Sequence, residues 1–244
     1  MVDIHCHILP NLDDGSSCLE ESVAMARLAV ASGVTDIITT PHFRGEAAAL
    51  RMLPAIMGRL ARLQDALARE NLPLRLHPGA EILCTPDTPR MGARGELPTL
   101  GESRYLLTEF YFNETGAFMD DILDALARQG YWPVIAHPER FEAVQADPEL
   151  ARHWFDKGYL LQVNKGSVLG GFGRRVRQTA AVLLETGIAH LFASDAHGAD
   201  VRTPYMTELR SWAEENLGPS YTWILMEENP ARILRGQQVL PPEG

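Results

Sequence analysis

The chain has 244 residues, 45% of them hydrophobic, and a formal net charge of −10. This charge disfavours a protein that neutralises many phosphates along a nucleic acid, although a few local arginines could still hold a small phosphate ligand. No apolar run approaches the ~18 residues of a membrane span, so we expect no membrane insertion. The first predicted strand starts at Val2, so we expect no cleaved signal peptide. Three cysteines without CxxC spacing fit a reduced compartment, and we expect a cytoplasmic protein.

Strand-like and helix-like segments alternate along the chain. Near-continuous apolar runs are typical of parallel strands covered on both faces, and they fall within 2–7, 31–42, 74–83, 104–110, 128–140, 156–166 and 185–197. Apolar residues at helical spacing predict helices within 17–33, 47–70, 117–129, 148–157, 174–186 and 204–217. The first helix opens with Ser17 and Glu20 at the spacing of a capping box.

Seven strands that alternate with helices predict an α/β fold with a parallel sheet, either open or rolled into a barrel. No long polar linker, low-complexity tract or block of charge interrupts the alternation, so we expect a single domain over residues 1–244. The segment 85–101, which is rich in proline and glycine, is the best candidate for an excursion from this pattern.

Residues with reactive side chains gather where these strands end. They are His5, His7, His42, Glu81, Glu109, His137, Asp195 and His197. In a parallel barrel such positions converge on the carboxyl-terminal face, where these folds build active sites. Any one of these residues alone could be a hydrogen-bonded structural group. Their joint placement at one end of a barrel predicts a functional site.

Imidazole and carboxylate groups without thiolates suit manganese, iron or zinc. Eight or nine ligands exceed the coordination of one ion, which implies two or three ions and a bridging carboxylate. Ions about 3.5–4 Å apart activate a shared hydroxide and neutralise charge on a phosphoryl group. The "DDG" stretch at 13–15 would loop back to add another carboxylate.

Six motifs in this order resemble a known superfamily. They are "DIHCHILPNLDDG", "TPHFR", "GAEI", "LTEF", "IAHPER" and "SDAHGADVRTPYM". The chain resembles the polymerase-and-histidinol-phosphatase (PHP) superfamily. Within it, the chain most resembles the bacterial manganese-dependent protein tyrosine phosphatases encoded with capsule and exopolysaccharide genes. The resemblance implies a distorted seven-stranded β/α barrel that hydrolyses phosphotyrosine by attack of a metal-activated hydroxide. The tail of a bacterial tyrosine kinase would be the substrate.

The resemblance also implies three divalent transition-metal ions, with manganese favoured over iron or zinc. The first ion would be held by His5, His7, Glu81 and Asp195. Glu81 would bridge to a second ion, completed by Glu109 and His137. The third ion would be held by Asp14, His42 and His197. The roles of two polar residues stay open. Asp13 could take part in the site, but a turn residue is more often a local hydrogen-bond acceptor. Asn164 could either orient a ligand or cap a helix.

Two arginines follow these motifs and would lie on loops above the metal ions. Arg140 ends "HPER", and Arg202 follows "SDAHGAD". A planar guanidinium can bind two phosphoryl oxygens at once, and the resemblance implies that these two arginines bind the substrate. Arg44 is a third candidate, or else a solvated charge in a loop.

The sequence offers three alternatives to this interpretation. The "CTPDTPR" stretch at 84–90 has the Cys-to-Arg spacing of cysteine-based tyrosine phosphatases, but Pro86 and Pro89 remove backbone N–H donors that a phosphate loop needs. A histidinol phosphatase or another small-molecule phosphomonoesterase would share the metal cluster and differ in the pocket. A non-catalytic, metal-binding partner of a polysaccharide-synthesis complex is disfavoured because no ligand is missing.

Overall fold

The computed structural model describes residues 1–242, including every side chain except those of residues 47–50. The described residues form nine short strands interspersed with helices, and no helix separates β2 from β3 or β4 from β5. The strands are β1 (Val2–Cys6), β2 (Asp36–Thr39), β3 (His42–Arg44), β4 (Arg75–His77), β5 (Glu81–Leu83), β6 (Tyr105–Glu109), β7 (Trp132–Ala136), β8 (Leu160–Asn164) and β9 (Leu191–Ala193).

Every pairing between these strands is parallel, and the strands form two sheets. One sheet has the order β1-β2-β4, and the other has the order β3-β5-β6-β7-β8-β9. Two of the seven predicted strands are each broken into two, β2 with β3 and β4 with β5. The breaks contain Pro41 and Pro78, which lack the N–H group that a continuous ladder would use.

The last strand returns to the first. His7 N donates to Ala196 O and Asp195 N donates to His5 O, both at 2.9 Å, next to a parallel bridge between Cys6 and Ala196. The predicted barrel-like α/β fold is therefore confirmed, with nine short strands where seven longer ones were predicted. These two bonds also join the first and last predicted ligand segments directly.

Eleven α-helices lie within residues 1–242. They are α1 (Leu19–Ala31), α2 (Glu46–Arg69), α3 (Thr88–Ala93), α4 (Gly116–Arg128), α5 (Glu142–Ala146), α6 (Glu149–Asp156), α7 (Lys165–Val168), α8 (Arg174–Glu185), α9 (Thr207–Leu217), α10 (Pro219–Trp223) and α11 (Asn229–Leu234). The predicted helices correspond to α1, α2, α4, α6, α8 and α9. No helix among the described residues combines the length and the apolar character needed to cross a membrane.

The predicted capping pair of α1 is wrong by one residue. Glu21, rather than Glu20, accepts hydrogen bonds from the backbone N–H and the hydroxyl of Ser17, both at 2.7 Å. The helix starts one residue later than expected, with Cys18 in the N-cap position. Only the glutamate half of a capping box is present, because the side chain at the N-cap accepts no backbone hydrogen bond.

Consecutive strand residues pack into different apolar clusters, as expected when both faces of the strands are covered. Leu107 and Val134 belong to a smaller cluster, whereas their chain neighbours Leu106 and Ile135 belong to the larger cluster that also includes helix residues. Glu109 lies two residues after Leu107 in β6 and therefore on the same face. The polar site thus continues the smaller cluster at the carboxyl ends of the strands.

Candidate metal centre

All nine predicted metal ligands lie in one network of contacts. They come from β1 and the loop after it, from the starts of β3 and β5, from the end of β6, and from the segments that follow β7 and β9. Pairing between strands brings some of them together directly, because His42 and Glu81 are register partners between β3 and β5.

Three overlapping groups of these side chains could each hold a metal ion, because their ligand atoms lie within 4.8 Å of one another. The groups are His5, His7 and Glu81; His42, Glu81 and Glu109; and His7, Asp14, His42 and His197. Glu81 belongs to two groups, as a bridging carboxylate would. His7 and His42 are also shared between two groups, whereas the resemblance assigns each of them to a single ion.

The other two predicted ligands contact these groups from the side. His137 Nε2 lies 2.8 Å from Glu81 Oε1. Asp195 Oδ1 lies 3.4 Å from His5 Nε2 and 3.6 Å from His7 Nε2. Buried acids and imidazoles this close together form one electrostatic unit rather than independent sites.

The imidazole rings present lone pairs to the centre of the cluster. His5 Nδ1 lies 2.8 Å from Gln162 Oε1, His7 Nδ1 lies 2.7 Å from Asp13 Oδ2, and His197 Nδ1 lies 3.0 Å from the Asp195 carbonyl oxygen. These acceptors place the proton of each ring on Nδ1 and leave the Nε2 lone pair free. The Nε2 atoms of His5 and His7 are 3.2 Å apart. Two lone pairs at this distance repel unless a proton or a metal cation lies between them, so the donor set fits a metal.

A chain of amide side chains fixes the orientation of two predicted ligands. The Asp195 carboxylate can only accept, so Asn164 Nδ2 donates to Asp195 Oδ2. Asn164 Oδ1 then accepts from Gln162 Nε2 at 2.7 Å, which leaves Gln162 Oε1 to accept from His5. Asn164 therefore orients the predicted ligand Asp195, one of the two roles left open. Gln162 was not predicted as a site residue, although it lies two residues before Asn164 and on the same face of β8.

Asp13 acts as the hydrogen-bond acceptor that its turn position indicated. Its Oδ1 accepts from Gly15 N at 3.0 Å, and its Oδ2 accepts from His42 N at 2.9 Å as well as from His7. Burial alone would raise the pKa of Asp13, but the hydrogen bond and charge of His7 outweigh it and lower the pKa to about 2. A Cβ at Gly15 would lie 2.2 Å from His7 O, so only glycine fits there.

The carboxylates dominate the electrostatics of the cluster. Burial alone would lower the pKa of His42, yet Glu109 and Glu81 raise it to about 10. His42 Nδ1 lies 3.0 Å from Glu81 Oε2 without the geometry of a hydrogen bond, and His137 Nδ1 is also buried without a partner. Burial, with help from His7, lowers the pKa of His197 to about 4 and keeps this ring neutral. The carboxylates therefore favour positive charge within the cluster, and the neutral His197 ring is in the protonation state that binds a metal.

Backbone strain marks the same region. His137, Asp195 and Arg202 have φ values of 37°, 48° and 51°, in the left-handed region that favours glycine. Such conformations cost roughly 1–3 kcal/mol each and persist where the surrounding structure imposes them. The three residues are two predicted metal ligands and one predicted substrate-binding arginine, which places the strain in the site.

The two predicted substrate-binding arginines share one carboxylate oxygen. Arg202 Nη2 lies 2.6 Å and Arg140 Nη1 lies 3.5 Å from Asp195 Oδ2. Arg202 Nε is buried without a hydrogen-bond partner, so one donor remains free. A cavity of about 200 Å³ opens here, lined by seven of the nine predicted metal ligands together with Arg44, Phe112, Arg140 and Arg202.

Other candidate residues lie outside this cluster. Cys84 is buried, and burial raises the pKa of its thiol, which argues against a nucleophilic role. His77 contacts Asp36 at 2.8 Å, and His153 is exposed. His190 is buried, and its Nδ1 accepts from Leu161 N.

Comparison with known proteins assigns the chain to a family. Residues 1–235 match the family of capsular polysaccharide synthesis proteins CpsB/CapC. The chain belongs to this family. It is 35% identical over 250 residues to the tyrosine-protein phosphatase YwqE of Bacillus subtilis strain 168, an alignment that covers 100% of this chain and 96% of that protein.

Solved structures agree with the family assignment. One from work on YwqE of Bacillus subtilis and CpsB of Streptococcus pneumoniae, described as metal-dependent tyrosine phosphatases, matches with a TM-score of 0.91 and 34% identity. It covers 100% of this chain and 98% of that chain. A histidinol phosphate phosphatase of Lactococcus lactis matches with a TM-score of 0.52 and 13% identity, over 82% of this chain and 87% of that one. The second likeness shows the fold alone.

Proposed function

We propose that this chain is a metal-dependent protein tyrosine phosphatase. The observation that carries the proposal is the meeting of two groups of side chains at Asp195. Its Oδ1 faces the imidazoles of His5 and His7, and its Oδ2 faces both arginines. A phosphoryl group in the cavity would therefore contact the metal-binding and the anion-binding residues together.

The proposed cofactor is a cluster of three divalent ions, with manganese favoured. The inward lone pairs of three imidazoles and the excess of carboxylates support it. We propose the ligands His5, His7, Glu81 and Asp195 for one ion, Glu81, Glu109 and His137 for the second, and Asp14, His42 and His197 for the third. When bound, such ions supply an activated water and positive charge for phosphoryl transfer.

The side chains around the cluster have separate tasks in this proposal. Arg140 and Arg202 bind the phosphoryl oxygens, and the free Nε of Arg202 supplies one donor. Gln162 and Asn164 hold His5 and Asp195 in place for the metal. A tyrosine phenolate, with an ordinary pKa of about 10, leaves more readily than an alkoxide, so a strong general acid is not required.

We infer that the physiological substrate is a phosphotyrosine protein, namely the flexible tail of a bacterial tyrosine kinase that governs polysaccharide export. The family's link to capsular polysaccharide synthesis supports this partner. Phe112, with 39% of its surface exposed, offers an apolar contact beside Arg140. We propose that residues 1–244 form a single domain in the cytoplasm, a location that the three free cysteines suit.

Steady-state kinetics on two substrates test this proposal. Purified protein reconstituted with manganese should hydrolyse a phosphotyrosine peptide with a much higher kcat/KM than histidinol phosphate. The reverse preference would favour a histidinol phosphatase and would not affect the proposed metal site. Activity on neither substrate, with metal bound, would favour a non-catalytic protein.

A further inference from the structure

The guanidinium group of Arg140 lies between two phenylalanine rings. Its Cζ is 4.3 Å from the centre of the Phe112 ring and 4.4 Å from that of Phe172. The Phe172 ring also lies 5.4 Å from Arg202 Cζ. Among these contacts, Phe172 is the one ring that touches both arginines. Cations within about 6 Å of an aromatic face are attracted by its quadrupole.

A glycine makes room for this ring. A Cβ added at Gly166 in α7 would lie 2.7 Å from Cε2 and 3.1 Å from Cζ of Phe172. Gly170 and Gly173, with φ values of 85° and 91°, turn the chain back, and Gly171 N donates to Gly166 O at 2.8 Å. The edge of the Phe172 ring therefore rests on the backbone of α7.

The same short helix also holds the segment after Arg202. Lys165 is buried, and its ammonium group donates to the carbonyl oxygens of Thr203 and, at 2.9 Å, Tyr205. Helix α7 thus supports Arg202 in two ways. Lys165 binds the backbone that follows Arg202, and Gly166 packs against the Phe172 ring, which in turn contacts Arg202.

We propose that Phe172 is a positioning residue that sets the separation and tilt of the Arg140 and Arg202 guanidinium groups, and that residue 166 is glycine so that Phe172 can reach them. The inference rests on the proposed function, since it takes both arginines to bind the phosphoryl group. Two like charges that converge on one carboxylate oxygen repel each other. A shared aromatic face offsets this repulsion and restricts the rotamers of both side chains.

The proposal predicts that two residues act through one contact. Carbon atoms pack at ~3.5–4.0 Å, so Gly166→Ala should push the Phe172 ring aside by about 1 Å. The end of a flexible side chain can yield this way, so the fold should survive. Gly166→Ala and Phe172→Leu should each lower kcat/KM on a phosphotyrosine peptide by roughly ten- to a hundredfold, because displacements of this size cost that much.

A double-mutant cycle separates this proposal from a general loss of stability. The variant with both changes should be no less active than Phe172→Leu alone, because the added methyl group then has no ring to displace. Phe172→Tyr should retain most of the activity. Manganese content should be unchanged throughout. The affinity of the manganese-loaded protein for inorganic phosphate should follow the same pattern.

Two matched variants serve as controls. Gly58→Ala adds a Cβ in helix α2 where nothing lies within 4 Å. Phe155→Leu removes a ring 5.4 Å from Arg152 Cζ, away from the cluster. Neither should change the kinetics. Additive losses in the cycle, or a fully active Gly166→Ala protein, would overturn the proposal. If the wild-type protein does not hydrolyse phosphotyrosine, the proposed function is wrong. The double-mutant cycle measured by affinity for inorganic phosphate then still tests the role of Phe172.

Discussion

Gln162 orients a predicted ligand without lying in a recognisable motif. Its amide links His5 to Asn164 and, through it, to Asp195. Partners of this kind hold a ligating ring in the right tautomer and orientation, and their loss commonly costs 10–100-fold in metal affinity. The ligands themselves could be predicted because their spacing in the motifs is local. The partner could not, because its role depends on how the sheet places β8 relative to β1, with which it does not pair.

Replacing Gln162 therefore gives the first prediction. Gln162→Leu should weaken manganese binding by about 10–100-fold, because the His5 ring loses the acceptor that fixes its tautomer. Titration of metal-free protein with manganese measures the change. Gln129→Leu is the control, since that amide donates to Pro89 O outside the cluster. Equal affinities for Gln162→Leu and the wild type would show that the amide chain does not support the metal.

The two arginines give a second prediction. Arg140→Ala and Arg202→Ala should each cost roughly 3 kcal/mol in the transition state, about a hundredfold in kcat/KM, by analogy with the loss of an oxyanion donor. Metal content should stay the same. Lysine at either position should rescue activity only partly, because it keeps the charge and loses the two-pronged geometry. A variant that loses its manganese along with its activity would instead assign the arginine to the metal site.

At the scale of the strands, the apolar runs predicted where strands lie but not where they break. Pro41 interrupts the second predicted strand, and Pro78 interrupts the third. The strands before these breaks belong to one sheet and the strands after them to the other. Each proline is visible in the sequence, yet its effect depends on whether the neighbouring strand would pair with the backbone N–H group that proline lacks. The breaks matter for the site, because His42 and Glu81 open the strands that follow them.

A charge network ties β2 to β4 and gives a third prediction. Burial alone would raise the pKa of Asp36, but hydrogen bonds from Arg75, His77 and Thr35 outweigh it and lower the pKa to about 2. The ordinary value is 3.8. The folded-state pKa is depressed, so the network stabilises the fold above about pH 4 and loses its effect as the pH falls towards 2.

Urea unfolding of metal-free protein measures this effect. Asp36→Asn should be less stable than the wild type near pH 5, and the difference should shrink as the pH falls from about 4 to 2. Comparison of the two proteins at each pH cancels the titration of the cluster carboxylates. A deficit that stays constant over this range would mean that Asp36 contributes through packing rather than through its charge.

At the scale of the whole molecule, a net charge of −10 coexists with three arginines around one cavity. The ordered motifs predicted the α/β fold and the residues that converge, because their spacing and type are properties of the chain itself. The contacts of Phe172 with both arginines could not be predicted, since they depend on a glycine that reads as an ordinary turn residue. Long-range packing, rather than motif content, determines how the arginines are held.

The central claim is that a multimetal cluster at this cavity hydrolyses phosphotyrosine. The most direct measurement is the rate of hydrolysis of a phosphotyrosine peptide against the number of manganese ions bound per chain, starting from chelator-treated protein. Metal-free protein should be inactive, and activity should rise as at least two and up to three ions bind per chain, in keeping with phosphoryl transfer between neighbouring ions. Full activity in metal-free protein, or saturation of activity with a single ion per chain, would contradict the account.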